Sequence, residues 1–430
     1  MAATAIDSLV STASKAKPDG MKWHDKYPHL GKGPLAAKVF VCEEQFRLEQ
    51  EQIFKKVWLN VGRVELIPKA GDYFVKDLAV CQTSVIVVRG KEGQVHAFHN
   101  ICSHRGNKVV WDHHGSCQMF RCKFHNWSYA LNGTLRHVPD EEGFFDLKKD
   151  EMGLTPVAVD VWEGFIFINV DPHPTESLPD YLGELGAGLN GYPFADFSAT
   201  NASWTTEVKA NWKVVKDAFQ EIYHVPFLHR RSIPDSFTSK NNPYAHLLHM
   251  QLFPRHGRAS LYGNADLKPS PVAKLASAYG AFIIRQDFSS STLPAGVNPM
   301  REKTWALDLN AIFPCFFLDV SEGSYFTHQF WPVTVDRTVW QSTQYFPSAK
   351  TPGQRFSQEY GHVLFRDIIL EDGRTFEETQ SVLASGAKKS FVLHDEELLV
   401  RHSHHVIEQM IAGQAPDTAF HANGTGANHG

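Results

Sequence analysis

The feature that most constrains the fold of this chain is a pair of short segments that each carry one cysteine and one histidine. The first, Cys102 to His104, reads CSH, and the second, Cys122 to His125, reads CKFH. Two sulfur and two nitrogen donors can hold a tetrahedral zinc ion, or an iron–sulfur cluster with cysteine on one iron and histidine on the other. Either group requires the two segments to lie side by side, so the fold must present them as neighbouring loops.

The spacing of these donors favours the cluster. Structural zinc sites usually space their ligands as Cys-x2–4-Cys or His-x3–5-His. A Cys-x-His pair followed by a Cys-x2-His pair is typical instead of the loops that hold a Rieske [2Fe–2S] cluster. We therefore expect Cys102, His104, Cys122 and His125 to ligate a [2Fe–2S] cluster, with zinc as the alternative.

Strand patterns surround the two segments. Apolar residues 85–88 and 95–98 flank a Gly-Lys-Glu-Gly turn, which is a hairpin signal, and residues 165–170 form another apolar run. The sequence thus predicts an all-β domain over residues 41–171 that carries the metal ligands. Residues 1–40 show little periodicity, and we expect them to form an arm that packs on a second domain.

The second domain is predicted over residues 172–412, after the proline-rich stretch DPHPTESLP. Its clearest elements are a helix from Trp212 to about His224 and two alternating strands over residues 326–333 and 338–346. The tail, residues 413–430, is rich in Gly, Ala and Asn, which predicts disorder.

Composition limits the classes of function. A net charge of −5 over 430 residues argues against a nucleic-acid partner. No apolar run is long enough to predict a membrane span, and the first residues lack the pattern of a secretory signal. Six cysteines are too few for a disulfide scaffold of this length, so we expect a cytoplasmic protein with reduced thiols.

A second group of metal-ligating residue types lies on and after the predicted helix. Asp217, Glu221 and His224 are spaced i, i+4 and i+7, which predicts one helix face, and His229 follows the helix-breaking Pro226. Two imidazoles and one carboxylate form the facial triad of non-haem Fe(II) oxygenases, which leaves open positions for O2 and substrate. The two histidines therefore suggest a second metal centre, whose carboxylate must come from elsewhere in the chain.

Residues Ile101–Gly106 and Cys122–Tyr129 resemble the cluster motif of Rieske non-haem iron oxygenase alpha subunits, the aromatic-ring-hydroxylating dioxygenase family. The sequence departs from that motif at Asn126, where the family usually has Gly, and at Lys123, where Pro is common. Asn tolerates positive φ better than other non-Gly residues, so we expect the loop to keep its shape. Lys123 either affects the cluster potential or donor docking, or is simply solvated.

The resemblance implies the third ligand of the second centre. The segment Glu371–Gln380 resembles the distal acidic motif of the family. It makes Asp372 the carboxylate that completes an iron site with His224 and His229. Asp367, about one helical turn upstream, is the alternative.

The resemblance also implies roles for three further residues. Glu221 would be catalytic: it would hydrogen-bond His224 of its own subunit and His125 of the partner subunit, and so couple the two metal centres. Asp217 and Val225 would line the substrate pocket, Asp217 with a catalytic role. A salt bridge on the helix surface is the alternative for Asp217.

The implied protein is of the α+β class, with an all-β Rieske [2Fe–2S] domain and a helix-grip-like catalytic domain in which helices pack on a curved antiparallel sheet. It would be the terminal oxygenase of a multicomponent system, assembled as a homotrimer or as α3β3. An NAD(P)H-dependent reductase, with or without a ferredoxin, would supply the electrons. The enzyme would use O2 and mononuclear Fe(II) to hydroxylate or cis-dihydroxylate a small aromatic substrate.

Two alternative functions stay open at this point. One is a Rieske monooxygenase or demethylase that acts on a methoxyarene or a quaternary ammonium compound, which an aromatic cage near the iron would favour. The other is a Rieske electron carrier that has the cluster but no catalytic iron. Besides these two functions, a structural zinc protein, with neither the cluster nor the catalytic iron, also stays open.

Overall fold

The computed structural model of the chain describes residue 20 and residues 22–197, 200–280 and 293–416. It contains two compact units: Leu48–Tyr181, and a second unit in which the described residues before Leu48 join those after Tyr181. The first unit begins seven residues and ends ten residues after the limits predicted for the all-β domain, 41 and 171. Helices and antiparallel strands are both abundant, so the predicted α+β class is confirmed.

The described residues form the following helices and strands, each numbered in chain order. The helices are α1 (Trp23–Lys26), α2 (Glu43–Glu49), α3 (Leu178–Leu189), α4 (Trp212–Asp217), α5 (Val225–Leu228), α6 (Pro271–Tyr279), α7 (Pro352–Leu383) and α8 (Leu398–Ile411). The strands are β1 (Leu35–Ala36), β2 (Leu59–Arg63), β3 (Asp72–Leu78), β4 (Thr83–Arg89), β5 (Val95–His99), β6 (His114–Ser116), β7 (Phe120–Arg121), β8 (Ser128–Tyr129), β9 (Leu135–His137), β10 (Pro156–Trp162), β11 (Phe165–Asn169), β12 (Thr200–Val208), β13 (His249–Leu252), β14 (Gly257–Tyr262), β15 (Trp305–Ile312), β16 (Phe316–Val320), β17 (Tyr325–Thr334), β18 (Arg337–Phe346) and β19 (Ser390–Phe391).

The unit Leu48–Tyr181 is built on a seven-stranded antiparallel sheet in the order β2-β11-β10-β5-β4-β3-β6, with a separate three-stranded sheet, β7-β8-β9. The predicted hairpin is the β4–β5 pair, closed where the N–H of Gly90 donates to the carbonyl of Gln94 at 2.7 Å. Both cysteines of the two segments, Cys102 and Cys122, are buried in the core of this unit. Packing of these two cysteines in the core therefore fixes the position of both loops.

The other unit is built on a seven-stranded antiparallel sheet in the order β12-β18-β17-β16-β15-β14-β13. Helix α7 lies against one face of this sheet, which we call the inner face, where Phe365 meets Phe326 and Phe376 meets Trp340. Buried positions recur every three or four residues along α7, so Asp372 lies on the same helix face as the two phenylalanines. This periodicity is what directs a carboxylate toward the sheet.

The described part of the N-terminal segment, from residue 22 onwards, belongs to this second unit. Strand β1 pairs with β19, and the backbone N–H of Trp23 donates to the carboxylate of Asp395 at 2.8 Å. The tail predicted to be disordered lies outside the described residues beyond residue 416. Within the described ranges, no helix combines the length and apolar character that a membrane crossing requires.

The prediction of one continuous helix from Trp212 to His224 is wrong. Helix α4 ends at Asp217, and α5 begins only at Val225. In the intervening turn, the carboxylate of Glu221 accepts the backbone N–H of His224 at 3.1 Å. A side chain that bonds a nearby backbone N–H in this way offers the chain an alternative to helix. Residues 217, 221 and 224 consequently do not share one helix face.

Candidate metal centres

The two cysteine–histidine loops have the same backbone hydrogen bonds. In the first, the N–H of Cys102 donates to the carbonyl of Asn107 at 2.8 Å, and the carbonyl of Cys102 accepts from Gly106 at 2.9 Å. The second loop repeats both bonds at the same offsets from Cys122, each at 2.9 Å. Two matching turns thus present one cysteine and one histidine each.

Asn126 takes the place that Gly106 has in the first loop. Its φ is 59°, and that of Gly106 is 75°, so both residues are left-handed. Asn is the non-Gly residue best suited to this conformation. The expectation that the loop keeps its shape with Asn126 is therefore confirmed.

The side chains of the two loops converge. The rings of His104 and His125 lie 4.5 Å apart between centroids, and the indole of Trp127 stacks on His104 at 4.9 Å. Burial acts to raise the pKa of Cys122, but the backbone N–H groups that follow it in the loop outweigh burial, so its pKa is lowered. A thiol with a lowered pKa, beside two imidazoles and a second buried thiol, fits a metal cluster.

Tyr129 supports one of the cysteines directly. Its hydroxyl oxygen accepts the backbone N–H of Ser103 at 3.1 Å and lies 3.1 Å from the sulfur of Cys102. Because the oxygen already accepts from Ser103, the hydroxyl proton is available to donate to the sulfur. On the other cysteine, Asn107 donates to the sulfur of Cys122 at 3.8 Å. Both sulfurs therefore have hydrogen-bond donors.

Lys123 lies apart from these donors. Its side chain is half-exposed, and its ammonium lies 5.0 Å from the ring centroid of Trp111 and 3.6 Å from a carboxylate oxygen of Asp112. An exposed ion pair of this length is worth little. The position matches the solvated alternative for Lys123.

The second centre is organised around helix α5. His224 immediately precedes this four-residue helix and His229 immediately follows it, so one turn separates the two imidazoles. Asp372 reaches the pair from α7: its Oδ1 lies 3.1 Å from Nε2 of His229 and 3.7 Å from Nε2 of His224. Ligand atoms of all three residues lie within 4.8 Å of one another, and theirs is the one such group of at least three residues found across the described chain.

A carboxylate stands behind each imidazole. Glu221 contacts Nδ1 of His224, and Glu371 contacts Nδ1 of His229 at 2.8 Å. A carboxylate can only accept here, so each Nδ1 carries a proton, and each Nε2 is the nitrogen that would bind a metal once any second proton is released. Ser232 donates a further hydrogen bond to Glu371 at 2.7 Å, which fixes that carboxylate.

Charge at this centre favours a cation. Burial acts to lower the pKa of His224 and of His229, but the surrounding carboxylates outweigh burial and raise both. For His224 these are Glu221 and Asp372, and for His229 they are Asp372 and Glu371. A site that stabilises protonated imidazoles would stabilise a divalent ion in their place, with release of the protons.

A cavity of about 590 Å³ opens at this centre. Glu221, His224 and Asp372 form its polar part, and the remaining lining is mostly apolar: Ala218, Tyr223, Phe227, Leu228 and Thr375. The aromatic rings of Tyr223 and Phe227 lie 6.0 Å apart at 71°. The arrangement leaves one side of the three ligand atoms open to a small molecule.

Asp217 and Val225 are not among the residues that line this cavity. The carboxylate of Asp217 points the other way, 2.7 Å from Nε2 of His404 and 2.9 Å from the ammonium of the buried Lys216. It forms a salt bridge, as the alternative had it, but inside the protein rather than on a helix surface. Asp367, the alternative ligand, is exposed and paired with Arg366.

The sequence predicts Glu371 to be solvated or hydrogen-bonded, without naming a partner, and it assigns no role to the aromatic residues of the cavity. Glu371 stands next to Asp372, and two adjacent acids on a helix usually face different environments, so spacing alone gives no signal for a contact with His229. Tyr223 and Phe227 flank the histidines at i−1 and i+3 of His224. Their closeness in the chain to the two histidines is the only signal in the sequence that points to a place in the cavity wall.

Two family models match the chain. That of the Rieske [2Fe-2S] domain matches residues 57–156, and that of the ring hydroxylating alpha subunit (catalytic domain) matches residues 196–413, just over half of the chain. The chain belongs to the ring-hydroxylating alpha-subunit family of Rieske oxygenases. The cofactors predicted from the sequence, a [2Fe–2S] cluster and mononuclear iron, are those of this family.

Three curated relatives lie in this family. The chain is 32% identical to the carnitine monooxygenase oxygenase subunit of Escherichia coli K12 over 191 residues, 44% of this chain and 50% of that one. It is 35% identical to the glycine betaine monooxygenase oxygenase subunit of Pseudomonas aeruginosa UCBPP-PA14 over 187 residues, 43% and 42%. It is 34% identical to the large oxygenase component of the Pseudomonas aeruginosa naphthalene 1,2-dioxygenase system over 251 residues, 56% and 50%. The chain spans about half the length of the curated relatives it matches.

Solved structures of Rieske oxygenases share the fold over most of their length. A quaternary ammonium Rieske monooxygenase superposes with a TM-score of 0.69 at 21% identity, over 88% of this chain and 95% of that one. Naphthalene 1,2-dioxygenase from Rhodococcus sp. superposes with a TM-score of 0.71 at 20% identity, over 92% and 97%. The likeness establishes the predicted fold: a Rieske domain and a catalytic domain with a curled antiparallel sheet and helices.

Proposed function

We propose that this chain is the terminal oxygenase component of a multicomponent Rieske oxygenase. Cys102, His104, Cys122 and His125 would hold the [2Fe–2S] cluster. His224, His229 and Asp372 would hold the mononuclear iron. The observation that carries the proposal is the meeting of these last three side chains, with every Nδ1 already held by a carboxylate.

Each residue of the second centre would have a distinct task. Fe(II), when bound, supplies the activation of O2, with electrons from the cluster. Glu221 and Glu371 hold the imidazole rings in one tautomer and one orientation, so Nε2 of each faces Asp372. Phe227 and Leu228 would form an apolar wall that orients the substrate on the open side.

An aromatic substrate that is hydroxylated or cis-dihydroxylated is the function we favour. The apolar cavity lining and the similarity to a naphthalene 1,2-dioxygenase component support it. The second candidate is monooxygenation or demethylation of a quaternary ammonium compound or a methoxyarene. The similarity to carnitine and glycine betaine monooxygenase subunits supports it, as do the near-perpendicular rings of Tyr223 and Phe227, which could face a cation.

The proposed system has further components. An NAD(P)H-dependent reductase, with or without a ferredoxin, would reduce the cluster, and the chain would assemble as a homotrimer or as α3β3. Glu221 would link His224 to His125 of the partner subunit, and so give electrons a path between chains. The cytoplasmic location stays a prediction.

The proposal is tested by metal content and product together. We expect three irons per chain, visible absorption of a Rieske cluster, and a hydroxylated product with a heterologous reductase, screened by mass spectrometry over arenes, aromatic acids, methoxyarenes and betaines. His224→Ala should lose the product and one iron and keep the cluster absorption. His173→Ala, at an exposed histidine, is the matched control and should keep the product, the third iron and the cluster absorption. Two irons and no product from the unaltered chain would indicate an electron carrier, and zinc without visible absorption a structural zinc protein.

A further inference from the structure

The outer side of helix α7 carries a row of exposed apolar side chains. Phe356, Val363 and Leu370 are 36%, 46% and 65% exposed. They recur every seven residues, which is close to two turns of an α-helix, so they form one straight row along the helix. Large apolar side chains that lie together on a surface mark an interaction site more often than isolated ones do.

This row faces away from the sheet. Each of its three residues stands two positions before a buried residue of α7: Gln358, Phe365 and Asp372. At 3.6 residues per turn, two positions amount to about 200° around the helix axis, so the row lies almost opposite the buried face. The row is therefore separate from the core that α7 forms with the sheet.

Helix α6 borders the start of this row. Val272, Leu275 and Tyr279 are each about half-exposed, and their spacing of i, i+3 and i+7 places them on one face of α6. Tyr279 packs against α7 at Gly353, where a Cβ atom would lie 2.4 Å from its ring. Residues three apart are neighbours on a helix surface, so Gly353 adjoins Phe356. The exposed face of α6 thus widens the apolar surface beside the row.

Charged residues beside the row have an order that complements itself. Glu359 and Arg366 are both exposed and lie on the same flank of the row, before and after Val363. When two α7 helices pack antiparallel about an axis through Val363, residues equally far before and after it face each other. Phe356 then meets Leu370 of the partner subunit, and Glu359 lies beside Arg366 of the partner subunit. Symmetry repeats both contacts, so a second copy of this chain fits the row in shape and in charge.

The two charged residues already have partners within α7. Glu359 pairs with Arg355, and Arg366 pairs with Asp367. All four side chains are about half-exposed, and exposed ion pairs contribute little to stability. Exchange of these pairs for contacts between two chains therefore has a small cost.

We propose that the outer side of α7 is a two-fold interface between two copies of this chain, in which the α7 helices pack antiparallel about Val363. This contact is of a different kind from the one in the proposed function, where Glu221 faces His125 of the partner subunit. A contact between two different residues is head-to-tail and closes a ring, whereas the α7 contact joins identical surfaces. Together the two contacts would pair one trimer with another.

Cysteine cross-linking of the iron-loaded protein tests the axis. At the about 8–10 Å that separates packed helix axes, facing Cα atoms come within reach of a disulfide. We expect mild oxidation to join two copies through Val363→Cys, because this position faces itself. Phe356→Cys alone and Leu370→Cys alone should not cross-link, but the two variants co-expressed should. Val392→Cys, at an exposed position outside the row, is the matched control and should stay unlinked.

Two cross-linking results would overturn the proposal. Absence of a cross-link through Val363→Cys would show that the two helices do not meet, and would leave the row to another protein. Self-linking at Phe356→Cys and Leu370→Cys as efficient as at Val363→Cys would indicate a parallel or non-specific contact.

Light scattering measures the assembly directly. Val363→Glu would place two carboxylates against each other on the axis, so we expect it to halve the particle mass relative to the unaltered chain. Its circular dichroism should stay unchanged, because the side chain is exposed on the single chain. Val392→Glu should keep the mass of the unaltered chain. An unchanged mass in Val363→Glu would contradict the interface.

Charge reversal separates contacts between chains from those inside α7. Glu359→Arg and Arg366→Glu should each raise several-fold the protein concentration at which the mass halves, and the double variant should return it to within about twofold. Inside α7, the two substitutions place like charges beside Arg355 and Asp367, so an effect within the helix would add up in the double variant. A double variant weaker than either single one would overturn the proposal.

Failure of this inference and failure of the proposed function have different signatures. The twofold ratio of masses holds whether the remaining unit is a trimer or a single chain, so it does not depend on the proposed ring. Cross-linking through Val363→Cys needs neither turnover nor a reductase. Failure of the oxygenase proposal would appear as a missing iron or a missing product, with the mass ratio and the cross-link intact.

Discussion

Glu371 accepts a hydrogen bond from the Nδ1–H of His229 at 2.8 Å. The same imidazole turns its Nε2 toward the carboxylate of Asp372, at 3.1 Å. Two adjacent acids of helix α7 thus serve one histidine from opposite sides, one as its hydrogen-bond acceptor and the other beside it as a candidate metal ligand. Together the two carboxylates hold the imidazole in the orientation in which its Nε2 faces Asp372.

Removal of the supporting carboxylate should weaken metal binding. Glu371→Ala leaves all three candidate ligands in place but frees the ring of His229 to rotate. We expect a roughly 10–100-fold loss of Fe(II) affinity, the range typical for partners that hold a metal ligand. Competition with a chelator under anaerobic conditions measures it. Glu378→Ala, an exposed acid on the same helix, should bind iron like the unaltered chain, and equal affinity in Glu371→Ala would contradict the assignment.

The left-handed residue of the second cluster loop makes a second prediction. Asn126→Gly should keep the cluster, because Gly adopts a φ of 59° without strain. Asn126→Val should lose cluster occupancy, since left-handed backbone costs an ordinary residue roughly 1–2 kcal/mol, and a β-branched one more. Iron per chain and visible absorption of the two variants provide the comparison. Full occupancy in Asn126→Val would show that the loop does not depend on this conformation.

The hydroxyl of Tyr129 should tune the cluster potential. A hydrogen bond to a ligand sulfur stabilises the reduced, more negative cluster. Tyr129→Phe removes the donor to Cys102 and should lower the reduction potential by roughly 40 mV, the equivalent of about 1 kcal/mol for one electron. Protein-film voltammetry measures the shift, and the exposed Tyr244→Phe in the other unit is the control. An unchanged potential in Tyr129→Phe would mean that the hydroxyl does not donate to the sulfur.

The buried salt bridge of Asp217 makes the catalytic unit sensitive to acid. Burial acts to raise the pKa of Asp217, but His404 and Lys216 outweigh it and hold the pKa at about 2. This is below the value of about 3.9 in an unfolded chain, so the stabilisation is complete above pH ~4 and is lost as the pH falls toward 2. At pH 7 it amounts to about 2–3 kcal/mol.

Asp217→Asn tests that contribution. We expect its urea midpoint at pH 7 to fall clearly, and the difference from the unaltered chain to shrink as the pH approaches 2. Asp367→Asn, which alters only an exposed pair with Arg366, should leave the midpoint almost unchanged. If the urea midpoints of Asp217→Asn and the unaltered chain differed by the same amount at every pH, the low pKa of Asp217 would be contradicted.

Local chemistry made some of this site predictable from sequence. The cysteine and histidine of each cluster loop are neighbours in the chain, so their spacing already encodes the geometry, and even the conformation of Asn126 followed from residue type. The place of Asp372 followed only from resemblance to a family, because residues 142 or more apart meet through tertiary packing. No local pattern brings α7 to α5.

Other features escaped the sequence for physical reasons. The helix expected to reach His224 ends at Asp217, where side-chain bonds of Glu221 to the backbone compete with helical ones. Asp217 forms its salt bridge with His404, which lies 187 residues later in the chain. Propensity describes a residue against its neighbours, and it carries no information about partners supplied by a distant helix.

The contact between Glu371 and His229 joins positions 142 residues apart. The intervening loop contains β13 to β18, almost all of the catalytic sheet. Closing a free loop of that length would cost about 4 kcal/mol in chain entropy. Here the strands of the sheet and the hydrogen bond from His229 to Glu371 already join the two ends, so a bound metal would not be the only cross-link between them. We therefore expect a chain that has lost its iron to keep the fold of this unit.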